Sequence, residues 1–220
     1  AAIMAAIDAA TRAFTDVLGL VKPGSTEKEI ADELDHAMRK RGAQGPSFET
    51  IVASGPRGAL PHAEPSDRKL EEGETVIIDY GAAVAGYCSD ETVTVCLGEI
   101  PDKLSEIYAI VNDARKLGIE KARAGTSIAQ LDSIVRGYIE EHGYGDCFRH
   151  GLGHGVGIAV HEAPGINSVA RGVLEENMVV TIEPGIYLPN IGGVRLEDMV
   201  LITEDSPRVL THIRKDMLRM

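Results

Sequence analysis

What most restricts the folding of this chain is that it repeats itself once. Residues 70–81 read LEEGETVIIDYG and residues 174–185 read LEENMVVTIEPG. Leu-Glu-Glu, an apolar run, an acid and a glycine coincide, which places Asp79 against Glu183, 104 positions later. Upstream, KPGSTEKEIADELDHAMRKRG (22–42) corresponds to RAGTSIAQLDSIVRGYIEEHG (123–143), aligning Gly24 with Gly125 and Gly42 with Gly143. Each half reads helix, glycine turn, helix, loop, strand, turn, strand. In the first, residues 3–20 carry apolar side chains at helical spacing, Gly24 breaks the helix, Ser25 or Thr26 caps the next, and Gly42 ends it. The second repeats this over 104–122, Gly125 and 127–142, and strand signals follow at 75–79 with 91–97 and at 179–182 with 193–202.

No Ser- or Pro-rich linker divides the halves. The expectation is therefore one α/β (α+β) domain over residues 1–220, built of two half-repeats (about 1–98 and 104–205) with internal pseudo-twofold symmetry. The opening AAIMAAIDAATRAFTDVLGL is already in helical register with nothing ahead to cap it, so something is expected to precede Ala1. A chain of 220 residues with 44% hydrophobic and 25% charged residues suits a soluble globular unit. The net charge of −12 argues against a nucleic-acid partner, which needs a clustered basic face. Three scattered cysteines, Cys88, Cys96 and Cys147, suit neither a disulfide framework nor a thiolate zinc site and point to a reducing, cytoplasmic setting. No run of about 18 apolar residues suggests a membrane span, and the N-terminus lacks a signal-peptide pattern.

The acids fall where the halves can meet. In a hairpin with an even loop, residues an odd number apart can face each other. Asp79 and Asp90 are eleven apart around a turn expected near Val84–Ala85, so their carboxylates are expected to lie opposite one another on one sheet face. Two such carboxylates need a cation or a shared proton. Glu183 and Glu197 are fourteen apart, an even number, so a plain hairpin puts them on opposite faces. A bulge near Pro184-Gly185 or Gly192-Gly193 is expected to restore a common face. HGLGHGVGIAVHEAPG (150–165) adds His150, His154 and His161 among glycines that permit close backbone approach. Oxygen-rich ligation with one imidazole favours Mn²⁺, Co²⁺ or Fe²⁺ over a structural zinc. Two ions about 3.5 Å apart can hold a hydroxide and polarise a carbonyl, which points to hydrolysis of an acyl or phosphoryl bond.

IIDYG with Asp79, GYCSD with Asp90, HGLGHGVGIAVHE with His154, TIEPG with Glu183 and GVRLED with Glu197 occur in this order across nearly the whole chain. In these motifs the chain resembles the catalytic domain of the pita-bread metallopeptidases, specifically the Xaa-Pro branch of aminopeptidase P and prolidase. The resemblance implies a pita-bread fold around a curved antiparallel sheet and two divalent ions, manganese first, with cobalt, iron or zinc as alternatives. It implies that Asp79 and Asp90 bind one ion, that Asp90, His154 and Glu183 bind the other, and that Asp90 and Glu197 bridge. A hydroxide between the ions attacks the scissile carbonyl, and Glu183 handles the proton. It further implies that His62 lies near the substrate and leaving proline, and that His161 contacts the carbonyl or developing intermediate. Arg195 would support the site from behind the ligands, and His150 would line a prolyl pocket.

The expected partner is a peptide or dipeptide substrate with an N-terminal Xaa-Pro bond, with a homodimer as the expected assembly. The alternatives are a methionine aminopeptidase, which shares fold and ligands, or a non-peptidase relative (creatinase-like or a binding module). Such relatives typically have lost ligands that all stand here. The chain departs from the family at Val93, where SDETVTV replaces SD-x-TRT and an arginine is expected. An N-terminal non-catalytic domain common in the branch is also absent from these 220 residues.

Overall fold

The computed structural model describes all of residues 1–220. Helix α1 (Ala2–Val17) buries Ala6, Ala9, Ala10, Ala13, Phe14 and Val17, a single stripe at helical spacing, and has no side-chain cap at its start. Helix α2 (Glu27–Lys40) begins in a capping box. The Thr26 hydroxyl accepts from the Glu29 amide at 3.1 Å, and the Glu29 carboxylate accepts from the Thr26 amide at 2.8 Å. Gly42 then takes φ +98°, a left-handed position open to glycine, and the helix stops. Strands β1 (Gly45–Pro46), β2 (Ile51–Ser54), β3 (Thr75–Tyr80), β4 (Ala82–Val84), β5 (Tyr87–Cys88) and β6 (Glu91–Cys96) complete the first half.

The second half places α3 (Asp102–Lys121), α4 (Ile128–Glu141), β7 (Gly153–Gly155), β8 (Glu162–Ile166), β9 (Val179–Ile182), β10 (Gly185–Leu188), β11 (Gly192–Arg195) and β12 (Asp198–Leu201). Short strands β13 (Arg208–Val209) and β14 (Leu218–Arg219) follow. The repeated segments dock alike. Gly24 N donates to Leu70 O at 2.9 Å and Gly125 N to Leu174 O at 2.8 Å, while Leu70 N returns to Ser25 O and Leu174 N to Thr126 O.

Two main sheets carry the chain, one ordered β14-β6-β3-β2 and the other β13-β12-β9-β7-β8. Helices α1 and α2 cover the first through Phe14, Leu34 and Met38 against Val52, Ile78 and Val93. Helices α3 and α4 cover the second through Ile107, Val111 and Leu131 against Val180, Ile182 and Leu196. Each fully buried aliphatic side chain contributes about 1.5–3 kcal/mol, so the helices are pinned to the outer faces. The sheets meet where Glu197 N donates to Thr92 O at 3.1 Å and Thr94 Oγ1 donates to Arg195 O at 2.8 Å. No helix is long and apolar enough to cross a membrane.

The hairpin registers correct two expectations. Asp79 pairs with Thr92, and Asp90 lies two residues nearer the turn instead of opposite Asp79. The turn centres on Ala85 and Gly86, at φ +51° and +77°, one residue later than expected. That backbone suits a two-residue hairpin loop with glycine second, and moving a turn by one residue moves the register by two. Alternation still leaves Asp79 and Asp90 on one face. In the second hairpin, Ile182 pairs with Asp198 and Gly185 with Arg195 in one continuous register, so Glu183 faces Glu197 with no bulge between them. The loop at 189–191 has three residues, with Asn190 at φ +65°, and an odd loop pairs residues an even number apart. Val93 is 3% exposed among the α1–α2 core residues, on the face of β6 turned away from the acids. Its lack of charge therefore concerns packing on that face.

Candidate metal centre

Each acid reaches the seam because its strand does. Where Glu183 and Glu197 face each other the hairpin opens. Leu196 N reaches Pro184 O only at 3.4 Å, Glu183 N donates to Leu152 O, and Glu197 N donates to Thr92 O. The second pair of acids is thereby tied to the strand that carries the first. His154 arrives on β7, a strand that only glycines could place. A Cβ on Gly153 would stand 2.1 Å from Thr181 O, and one on Gly155 would stand 2.5 Å from Ala163 O. The close approach expected of these glycines is what seats β7 between β8 and β9.

A cavity of about 350 Å³ opens here, and all nine residues singled out from the sequence line it: His62, Asp79, Asp90, His150, His154, His161, Glu183, Arg195 and Glu197. They do not all converge to the same degree. Ligand atoms of Asp90, His154 and Glu197 lie within 4.8 Å of one another. Nε2 of His154 is 3.5 Å from Glu183 Oε1 and 3.6 Å from Asp90 Oδ2. Asp79 is held from the other side, its Oδ2 accepting from Arg195 at 2.8 Å. His62 and His161 are exposed at the rim, the His161 ring centred 4.2 Å from that of His154.

The electrostatics are those of an acidic site lacking enough positive charge. Burial first, then the charges of Glu197, Asp79 and Glu183, raise Asp90 well above the ordinary carboxylate range. Burial and the Glu183 and Asp79 charges do the same to Glu197. Burial, with Asp79 adding and Arg195 opposing, pushes Glu183 up to about 8. Burial alone would lower Arg195, but Tyr187, Asp79 and Glu183 hold it above its usual value. Its guanidinium also donates to Tyr187 Oη at 2.9 Å and to Pro61 O at 3.1 Å.

The donor set fits divalent cations. Asp79 Oδ1 and Glu197 Oε1 are buried oxygens with no hydrogen-bond partner, a costly state that a cation relieves. His154 Nδ1 lies 3.0 Å from Gly155 O, so it carries the proton and leaves the Nε2 lone pair facing the acids. Two ligand atoms each about 2.1 Å from one ion stand roughly 3.0–3.5 Å apart, the spacing that His154 keeps from Glu183. His150 is different. Burial, then the Arg195 charge, lowers it to about 4, so it is neutral near pH 7. Its Nδ1 donates to Gly151 O and its Nε2 accepts from Tyr187 Oη, both at 2.8 Å. Both nitrogens are used, leaving none for an ion.

Three contributing residues were not singled out from the sequence. Thr92 Oγ1 donates to Glu197 Oε2 at 2.6 Å, Thr181 Oγ1 contacts Glu183 Oε1 at 3.3 Å, and Tyr187 joins Arg195 to His150. Strand alternation was the available signal. Thr92 stands two residues after Asp90, Thr181 two before Glu183, and Tyr187 four after it.

Known proteins similar to this chain agree with one another. The match to Metallopeptidase family M24 covers residues 1–204. The Xaa-Pro dipeptidase of Pyrococcus furiosus is 46% identical over 97% of this chain and 61% of its own length. The structure of the Xaa-Pro dipeptidase from Bacillus anthracis superposes with a TM-score of 0.98 at 45% identity, covering 100% of this chain and 62% of that one. The X-Pro aminopeptidase from Thermotoga maritima gives 0.96 at 43% identity, covering 100% and 62%. The chain thus spans about three fifths of the length of these relatives. Such agreement in sequence and backbone over nearly the whole of these residues leaves one assignment: the chain has the pita-bread fold and belongs to metallopeptidase family M24.

Proposed function

We propose that this chain is a dinuclear metal-dependent exopeptidase that cleaves the Xaa-Pro bond at the N-terminus of peptides or dipeptides. One observation carries the reading: four carboxylates and one correctly protonated imidazole meet at a single cavity, where two buried carboxylate oxygens lack any protein partner. Asp79 and Asp90 would hold one ion, Asp90, His154 and Glu183 the other, with Asp90 and Glu197 shared. Manganese suits this oxygen-rich set, with cobalt, iron or zinc as alternatives. When bound, two such ions polarise the scissile carbonyl and activate the attacking water.

The chain's own residues supply the rest. Glu183, whose Oε1 stands 3.5 Å from His154 Nε2 in the cavity, would take the water's proton and return it to the departing proline nitrogen. His161 at the rim donates to the oxyanion as it develops, a contact that strengthens toward the transition state. Arg195 fixes Asp79, and through Tyr187 it orients His150 against the edge of Phe148 (ring centres 5.0 Å apart) to form the proline-facing wall. His62 stands at the entrance beside Pro61 to meet the substrate.

The relatives include both dipeptidases and an aminopeptidase, so both lengths of substrate belong in the test. Protein reconstituted with Mn²⁺ is assayed on Xaa-Pro dipeptides, longer Xaa-Pro peptides and Met-Ala peptides. Release of the residue before proline is expected, and chelation should abolish it. Cleavage of only the Met-Ala series, or of none, overturns the reading.

A further inference from the structure

We propose that the C-terminal segment, residues 208–219, is a strap that fixes the separation of the two shared carboxylates, Asp90 and Glu197, with Lys215 as its positioning residue. The proposal rests on the two-ion reading above. It starts from a pattern that the metal centre does not use: each shared ligand is followed by a second acid, giving Asp90-Glu91 and Glu197-Asp198. By alternation the first acid of each doublet faces the cavity and the second faces the back of the sheet. Both second acids are sealed there, each 2% exposed.

A buried carboxylate without a partner is strongly destabilising, and the strap supplies partners to both. The Lys215 ammonium, 4% exposed, pairs with Glu91. Thr211 Oγ1 donates to Asp198 Oδ1 at 2.5 Å, and Arg115 pairs with Asp198 from α3. At one end of the strap, β13 extends the sheet beside β12, with Val209 opposite Val200. At the other, β14 runs parallel to β6, with Leu218 opposite Val95. The segment therefore leaves the sheet that carries Glu197, passes behind both doublets and joins the sheet that carries Asp90. Val93 lies on this same back face, two places along β6 from Glu91.

Position and charge make opposite forecasts for Lys215. As a charge alone, it repels divalent ions, and its removal should tighten metal binding. As a clamp on Glu91, its removal should loosen β6 and weaken binding, by the 10–100-fold or so typical of residues that orient metal ligands. Manganese titration calorimetry and thermal melts of the metal-free protein are run on wild type, Lys215→Met, and the double variant Glu91→Met with Lys215→Met.

The expected result is two ions in wild type and weakened binding in Lys215→Met. The double variant should regain the metal-free melting temperature, having no orphaned charge, without regaining affinity, because two thioethers pack without fixing a direction. Unchanged or tighter binding in Lys215→Met overturns the strap while leaving the two-ion reading intact. So does a double variant that recovers both stability and affinity. If Lys215→Met does not fold, the double variant decides alone: weakened affinity supports the strap and wild-type affinity overturns it. Wild-type protein that binds no manganese removes the two-ion reading and the strap with it.

Discussion

The first hairpin turns through two residues, Ala85 and Gly86, and the second through three, residues 189–191. The first therefore pairs residues an odd number apart, and the second pairs residues an even number apart. Asp79 and Asp90 end up diagonal to one another, whereas Glu183 and Glu197 stand directly opposed. Both arrangements deliver two carboxylates to one face. The site therefore constrains the face on which an acid emerges, and loop length has to match the spacing of the acids only in parity. The hairpins also differ in how firmly they hold register. Tyr87 on β5 is exposed and β4 is only partly buried, whereas every residue of β10 and β11 is buried.

That difference yields the largest expected effect. One glycine inserted between Val194 and Arg195, inside the fully buried β11, moves every residue after it by one place, and no exposed tip is there to take it up. Glu197 should turn to the wrong face. Loss of the metal's contribution, several kcal/mol, corresponds to a fall of roughly 10³-fold or more in kcat/KM. The same insertion between Ala85 and Gly86 should be absorbed at the exposed tip, leaving activity within a few-fold. Equal damage from the two insertions would mean that the first hairpin is as rigid as the second.

The faces were legible in the sequence and the registers were not, and the reason is local. The duplicated LEE segments, the capping Thr26 and the glycines after each helix carry strong local preferences, so they announce the two units. Asp79, Asp90 and Glu183 followed from the repeat and from alternation, whereas Glu197 followed from the repeat alone, because a plain even-looped hairpin would have put it on the other face. The register depends on which residues form the turn, and Ala85 at φ +51° is not a position that composition points to. Tyr187 was hidden because its role appears only when Arg195 and His150, 45 residues apart in sequence, meet its hydroxyl. The strap was hidden because residues 206–220 have no counterpart in the repeat and are held by single side chains such as Lys215.

The second comparison is electrostatic, between Glu183 and His150, which both feel the charge of Arg195. Glu183 moves from 4.5 to about 8 on folding, so the metal-free folded state binds more protons than the unfolded chain between those values. Its stability falls as pH rises through that window. Asp90 and Glu197 are shifted in the same direction. His150 moves from 6.5 to about 4, so the unfolded chain binds more protons between those values, and stability rises with pH there. The effects oppose one another below pH 6.5. Between 6.5 and 8 the raised acids dominate, and metal-free stability should drop by about 1–2 kcal/mol through Glu183 alone. Urea titrations of the metal-free protein at pH 6.5 and 8 measure this, and Glu183→Gln should flatten the slope. No slope over that range would mean that the acids are already ionised without metal.

The smallest effect separates the two threonines that attend the acids. Thr92 is fully buried; its hydroxyl donates to Glu197 at 2.6 Å and takes only a long 3.3 Å donation from Arg195 Nε, whose guanidinium keeps Pro61, Tyr187 and Asp79 as partners. Thr181 reaches Glu183 at the longer 3.3 Å and also accepts from the His154 amide at 3.0 Å. Valine at either position keeps the shape and removes the hydroxyl. A hydrogen bond to a charged acceptor is worth about 1.5–3 kcal/mol, so Thr92→Val should act mainly on Glu197 and weaken manganese binding by about tenfold. Thr181→Val gives up a poorer bond to its acid but strands the His154 amide between strands, which costs about 1–3 kcal/mol of stability. Calorimetry should therefore rank Thr92→Val as the worse metal binder, and thermal melts of the metal-free proteins should rank Thr181→Val as the less stable. The reverse ranking would place the tighter support in the second half, on Glu183, and not on the acid that is tied to both strands.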